Sequence, residues 1–236
     1  VCHAAVVHDG WSWFDLAWPW LGLVAAVPLL VVLLRAPRWH DPAWLGWLAV
    51  PVYLLHQVEE YGVDATGHTH AFPDALCTQV GLAPYPSCGI PEPFFVAVNC
   101  SAFWVAAPLA ALLARRLPLV GLSVWGVILV NGLVHLLPLI RGDGYAPGML
   151  TGSLLFLPLA AWTLRSAFLR GPLPRLGLVS VLAGGVLVHV VLMGSLLLWR
   201  EGHLRDGVLV GLQLANGFVP IGVGLAGTRM LRRTTG

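Results

Sequence analysis

An all-α, polytopic membrane helical bundle of about seven transmembrane helices is the fold the sequence predicts, and three observations predict it. The chain of 236 residues is 58% hydrophobic and only 10% charged, against roughly 45 to 50% and 25% in soluble domains. Its apolar residues gather into seven runs, approximately 16 to 34, 43 to 60, 94 to 114, 118 to 140, 147 to 169, 176 to 199 and 207 to 228. Each run has about 20 residues, enough to cross a hydrocarbon core of about 30 Å. The runs are too long and too unalternating for barrel strands, and backbone polar groups in lipid must be satisfied within the segment, which leaves helices. One integral membrane domain, 1 to 236, accounts for the chain, with no internal repeat or low-complexity linker.

Taken in order, residues 1 to 15, with Cys2, His3, His8, Trp11 and Trp13, read as an outer interfacial stretch, where tryptophan favours the headgroup level. The first run has no basic segment before it and is long enough to stay as a span, so no cleaved signal peptide is expected. The second run ends in His56-Gln57-Val58-Glu59-Glu60. Two adjacent carboxylates and an imidazole at the end of an apolar helix point to a site, since a charge at mid-bilayer costs roughly 2.5 to 3.5 kcal/mol on insertion scales. Positions 56, 59 and 60 are i, i+3 and i+4, so a regular helix sends all three side chains from one face.

The outer loop, 61 to 93, carries His68 and His70, expected to be exposed, and Cys77 and Cys88, expected to form a disulfide. Closing so short a loop contributes about 3 kcal/mol in the entropy model. Cys100 in the third run reads as a small packing residue, Cys2 is left over, and with no paired CxxC motifs a thiolate metal site is not expected.

Orientation follows from arginine, because the chain has no lysine. Arg35, Arg38, Arg115, Arg116, Arg165, Arg170, Arg175, Arg229, Arg232 and Arg233 belong to one set of span ends, and only Arg141, Arg200 and Arg205 to the other. Ten against three places the first set, and the C-terminus, in the cytoplasm, with the N-terminus outside. An inner-membrane location with the site facing the outer side follows, and the net charge of +2 gives no reason to invoke nucleic acid.

At about 1.5 Å per residue, His56 lies roughly 20 Å from the arginine-rich end of its span, Asn131 and His135 about 20 to 25 Å, and His189 about 20 Å. Measured from the opposite side, Thr151 is about 6 Å deep, Asn99 about 8 Å, and Gln213 and Asn216 about 9 to 14 Å. One polar layer in the outer half, and a cavity opening outward, are therefore expected. Eight of the nine histidines fall in that layer or outside it, His40 being the exception.

His56-x-x-Glu59-Glu60, then Asn131-x-x-x-His135, then Arg141 and Tyr145-x-Pro147-Gly148-x-x-Thr151, in that order, resemble the HXXEE family of bacterial membrane proteins. The likeness runs from about the second span to the sixth, with a further span histidine at His189. It implies that His56, Glu59, Glu60, Asn131, His135, Tyr145 and Gly148 belong to one common site, and it implies no particular activity.

The donors themselves point to metal. Neutral imidazole and carboxylate suit Zn, Fe or Mn, with Zn favoured, and three protein ligands leave a position open for water or substrate. His56, Glu60 and His135 are the expected ligands, with His189 as a fourth. Glu59 is the expected acid/base beside them, and Asn131, Tyr145 and Arg141 the further catalytic candidates. The competing reading of Asn131 and His135 is an interhelical hydrogen bond that holds the bundle together. Arg141 is expected to pair with Glu59 or Glu60 or to hold an anionic head group. Tyr145 to Gly148 reads as a turn into the next helix, with Gly148 permitting a close approach.

The functional expectation is a metal-dependent membrane enzyme, most narrowly a hydrolase, acting on a lipid or isoprenoid-like substrate in the outer half. The alternative enzyme is a metal-free acid-base terpene cyclase or isomerase. A proton or metal-ion carrier is the third reading, and the apolar cytoplasmic half argues against it. The absence of lysine excludes a retinal Schiff base, and no Gly-rich phosphate loop is present. Two acidic residues in the spans fall short of the roughly four of a carboxylate-bridged di-iron bundle.

Overall fold

The computed structural model describes residues 12–234, so Cys2, His3, His8 and Trp11 lie outside it. The described residues are helical apart from connecting turns, with one isolated antiparallel bridge between Val63 and Thr69. Helix α1 is Ser12–Arg35. Helix α2, Pro42–Gln57, starts where the Asp41 side chain accepts from Ala43 N at 2.9 Å and Pro42 fills the first position. Pro there forfeits no hydrogen bond, and the Asp carboxylate satisfies one of the exposed N–H groups. A π-helical turn, Val58–Gly62, continues α2 and carries both glutamates. Within the outer loop lies α3, Ala71–Gln79. The longer helices follow: α4 Pro93–Leu113, α5 Pro118–Arg141, α6 Met149–Leu169 and α7 Arg175–Arg200. Last come α8, Asp206–Asn216, and α9, Val219–Thr234.

Helix α5 is the hub, packed against α2, α4, α6, α7 and α9. Where α5 crosses α7, Gly126 and Gly185 bring the two backbones so close that a Cβ at either would run into the other helix. Close approach through small residues is how helices gain dispersion contacts in a medium as apolar as their own side chains. Helix α2 is buried at thirteen of its sixteen residues, ending in His56 and Gln57. Around it, the half of the bundle toward the arginines is filled by Leu45, Leu48, Leu119, Leu122, Val124 and Trp125. A second apolar cluster, including Trp18, Tyr61, Leu76, Phe94 and Phe95, closes the opposite end.

The alternation of helices puts the turns 36–41, 114–117 and 170–174 at one end and the loops 63–92, 142–148 and 201–205 at the other. Contacts agree: Trp39 packs on Trp44 and Trp162 at the first end, while Arg200 donates to Val80 O (2.8 Å) and Ala65 N to the Tyr145 hydroxyl (3.1 Å) at the second. The expected disulfide is present between Cys77 and Cys88, and it ties α3 to the strand-free stretch that follows. The outer loop is thus a folded cap over the end of the bundle.

Two expectations about the spans change. Five helices are long and apolar enough to cross a membrane, or six if the bent α8–α9 pair is one span. Helix α2 is not among them, because His56, Gln57, Glu59 and Glu60 dilute its apolar run. The seventh expected span is broken at Gly217–Phe218, where α8 and α9 meet at 44°. The long apolar helices are compatible with a membrane protein, and much of their outward surface is apolar, as at Val24, Val32, Leu154, Val179 and Val190.

Candidate metal centre

Three helices converge on one carboxylate. The Nε2 atoms of His56, from α2, and His135, from α5, lie 3.5 and 3.1 Å from the same oxygen, Oε1, of Glu60 in the π turn. One ligand atom from each of the three residues falls within 4.8 Å of the others, so the group could hold a metal ion. All three are buried, at 0, 5 and 3% exposure for His56, His135 and Glu60.

Glu59 turns away from this group, toward the start of α6. Its Oε1 accepts from the Tyr145 hydroxyl (2.7 Å) and Leu150 N (2.9 Å), and its Oε2 from Thr151 N (2.7 Å) and from the Thr151 hydroxyl. The carboxylate therefore caps the N-terminus of α6, where unpaired N–H groups and the helix dipole favour an anion. Arg141, expected to pair with a glutamate, is exposed and makes no ion pair with either among the described residues. Neutral donors do that work. Tyr145 is held as a donor, since burial and then its bond to Glu59 push its hydroxyl well above the usual phenol range. The loop fastens this latch from outside. Asp64 Oδ1 accepts from Thr66 N, Thr66 Oγ1 and His68 N, which presents Ala65 N to Tyr145. Burial raises the Asp64 carboxyl, but those hydrogen bonds outweigh it and hold the group below its ordinary range.

Thr151 connects the two glutamates' surroundings. Its hydroxyl has one proton, directed at the Glu59 carboxylate, so its oxygen must accept from His56 Nδ1, 2.6 Å away. In the neutral imidazole the proton of His56 then sits on Nδ1, and Nε2 presents a bare lone pair. That Nε2 is buried with no hydrogen-bond partner. A lone pair and a carboxylate oxygen face each other across 3.5 Å, an arrangement that a cation between them would satisfy.

Gly148 lets the backbone cover both imidazoles. Its φ of +83° suits glycine, and a Cβ there would lie 2.5 Å from His135 Cε1 and 2.9 Å from His56 Cε1. The expected close approach is therefore to the two candidate ligands themselves.

The remaining candidates border the group. A cavity of about 510 Å³ is lined by His135, Asn131, His189, Arg141 and Tyr145 together with apolar side chains. It adjoins a smaller one of about 50 Å³, lined by Glu60, Asn99, Asn131, His189, Gln213 and Asn216. Asn99, Asn131, His135, His189, Gln213 and Asn216 of the polar layer expected from depth thus border these two adjoining spaces, whereas His56 and Thr151 line neither. His189 lies outside the compact group, with Nδ1 2.8 Å from Gly185 O on its own helix. His68 is exposed and bonded to Thr66, and Cys100 is a free, half-buried thiol. Thr151, given a depth and a place in the resembling motif but no role in the site, is the site residue that sequence reasoning missed. The signal was its place three residues after Gly148, one turn into a helix whose start faces Glu59.

A family model described as a protein of unknown function with HXXEE motif matches residues 47–163. No curated protein and no solved structure matches the chain. The matched segment holds the three-residue group, Glu59, Asn131, Arg141, Tyr145, Gly148 and Thr151, whereas His189, Gln213 and Asn216 lie beyond it.

Proposed function

Through residues 47–163 the chain belongs to the HXXEE family, and from that premise we propose that it is a metal-dependent membrane enzyme acting on a lipid or isoprenoid-like substrate. The observation that carries the reading is the pair of imidazole Nε2 atoms around one Glu60 oxygen, with His56 Nε2 buried and unpartnered. A divalent ion, Zn²⁺ favoured and Fe²⁺ or Mn²⁺ compatible with the same donors, would supply Lewis-acid polarisation of a substrate oxygen or activation of water, hydrolysis being the narrowest form. His56, Glu60 and His135 would hold it. Glu59 and Tyr145 are positioning residues in this reading, because both Glu59 oxygens are engaged. Asn131 borders both cavities and would meet the substrate, and Arg141 at the outer rim would meet a charged group on it.

Seven crossings, with α2 as a polar-ended span and α8–α9 as a bent one, belong to this proposal. So do a cytoplasmic arginine-rich end and an inner-membrane site that opens to the outer side. A carrier is disfavoured by the apolar packing of the arginine-rich half.

The metal-free acid-base cyclase or isomerase stays as the second reading, because 3.1 Å between His135 Nε2 and Glu60 Oε1 is also a hydrogen-bond distance. Metal analysis of detergent-purified protein decides between them. Wild type should carry stoichiometric divalent metal, and His56→Ala or His135→Ala should lose it with helical content intact. Fully active protein without metal, unaffected by chelators, would transfer the conclusion to the acid-base enzyme.

A further inference from the structure

We infer that the small inner cavity behind Glu60 is a head-group subsite that takes an O–H or N–H donor at the end of an apolar chain. Such a subsite narrows the substrate class of the enzyme proposed above, and it rests on the cavity being where that substrate binds.

Buried acceptors left without a protein donor border this space, beside the hydroxyl-bearing Tyr53 and Tyr61. Asn216 is 4% exposed, and its Nδ2 donates to Val188 O (3.0 Å) and Gln213 Oε1 (3.2 Å), which settles which end of the amide is oxygen. Its Oδ1 is buried with no hydrogen-bond partner, and so is Asn131 Oδ1. His189 Nδ1 faces the carbonyl of Gly185, which only accepts, so in the neutral ring Nδ1 carries the proton and Nε2 is left as a lone pair. All three residues line the same cavity as Glu60. A buried acceptor left unmade is costly, so the complementary ligand brings hydrogen-bond donors.

Size and continuity supply the rest. The inner cavity has about 50 Å³, against roughly 10 to 15 Å³ that one water needs on the same measure, so a hydroxymethyl or aminomethyl end fits. Tyr61, Phe72, Val98, Asn131, His189 and Leu192 line both cavities, so the inner space borders the one of about 510 Å³. There Leu76, Phe94, Phe95 and Met193 extend the apolar wall, which suits a hydrocarbon or isoprenoid tail. A phosphate end would be repelled from the inner space by the Glu60 carboxylate and the lone pairs of Asn131 and Asn216. Asn131 belongs to the family-matched segment, whereas His189 and Asn216 lie beyond it.

The probes are farnesol, farnesylamine, farnesyl methyl ether and farnesyl phosphate, titrated against detergent-solubilised full-length protein by calorimetry. Farnesol and the amine should bind about tenfold more tightly than the ether, the scale of one buried acceptor satisfied or left bare. The phosphate should bind no better than the ether. In Asn216→Leu the preference for farnesol over the ether should fall to near unity, with Asn131→Leu as a second, half-buried variant should the first not fold. The ligand comparison on wild type needs no variant. Equal binding of farnesol and its ether, or a preference that survives both substitutions, would overturn the subsite. Each titration is repeated on chelator-treated protein and on His56→Ala. A farnesol preference that persists there without any metal in the native protein sustains the subsite and sinks the metal reading, whereas metal-loaded protein with no preference does the opposite.

Discussion

Thr151 Oγ1 stands 2.6 Å from His56 Nδ1 while its proton is committed to Glu59. A carboxylate on one helix thus sets, through a hydroxyl on another, which nitrogen of an imidazole is bare. Outer partners of this kind typically account for 10- to 100-fold in metal affinity.

Thr151→Val keeps the shape of the side chain and removes the relay. Its metal affinity, read by competition with a chromophoric chelator, should fall by about 10- to 100-fold, and Thr151→Ser should recover most of the loss. Wild-type affinity in Thr151→Val would show that the His56 tautomer is set elsewhere.

The two glutamates should separate by what they lose. Glu60→Gln removes the shared ligand oxygen, so stoichiometric metal should disappear. Glu59→Gln replaces one acceptor oxygen by an NH₂ group facing donors, which should lower stability by about 1 to 3 kcal/mol and weaken metal binding only through the relay. Melting temperature and metal content measured together give the answer. Metal lost from Glu59→Gln and kept in Glu60→Gln would reverse the assignment.

Much of this was legible in the sequence. Apolar run length foretold the helices, because crossing length and hydrophobicity are local properties. The depth of His56, Asn131, His135 and His189 foretold a common level, because a constant rise per residue turns sequence position into depth. The His56–Glu60 i, i+4 pairing survived the transition into the π turn. What was not legible depended on neighbours. The role of Glu59 is decided by the start of α6 and by Tyr145, 86 residues away. The break near Gly217 did have a signal, Pro220 in the first turn of α9, which has no N–H to bond back to the preceding turn, whereas the outer loop's packing into a cap depends on Tyr61, Phe94 and Phe95 meeting Leu76.

Gly148→Ala tests how closely the backbone holds the ligands. Alanine at φ +83° carries about 1 to 2 kcal/mol of strain on its own. The added methyl would also displace both imidazoles, so metal binding should fall more than stability does. Spectroscopy of a Co²⁺-substituted protein would report the distorted ligand field. An unchanged spectrum and affinity would show that the turn yields without moving His56 or His135.

Topology is the prediction on which the outer-facing site depends. Ten arginines mark one end of the bundle, and the Cys77–Cys88 disulfide lies in the cap at the other. Disulfides persist in oxidising compartments, and arginine is retained on the cytoplasmic side, so two independent tendencies predict the same orientation. In a Cys2→Ser, Cys100→Ala background, Ala83→Cys in the exposed part of the cap should react with a membrane-impermeant maleimide in intact cells. Arg115→Cys, exposed at the opposite end, should react only after permeabilisation. Mass spectrometry of unreduced peptides from the same membranes should find Cys77 joined to Cys88. Labelling of Arg115→Cys in intact cells, with free thiols at 77 and 88, would invert the protein and place the His56–Glu60–His135 group on the cytoplasmic side.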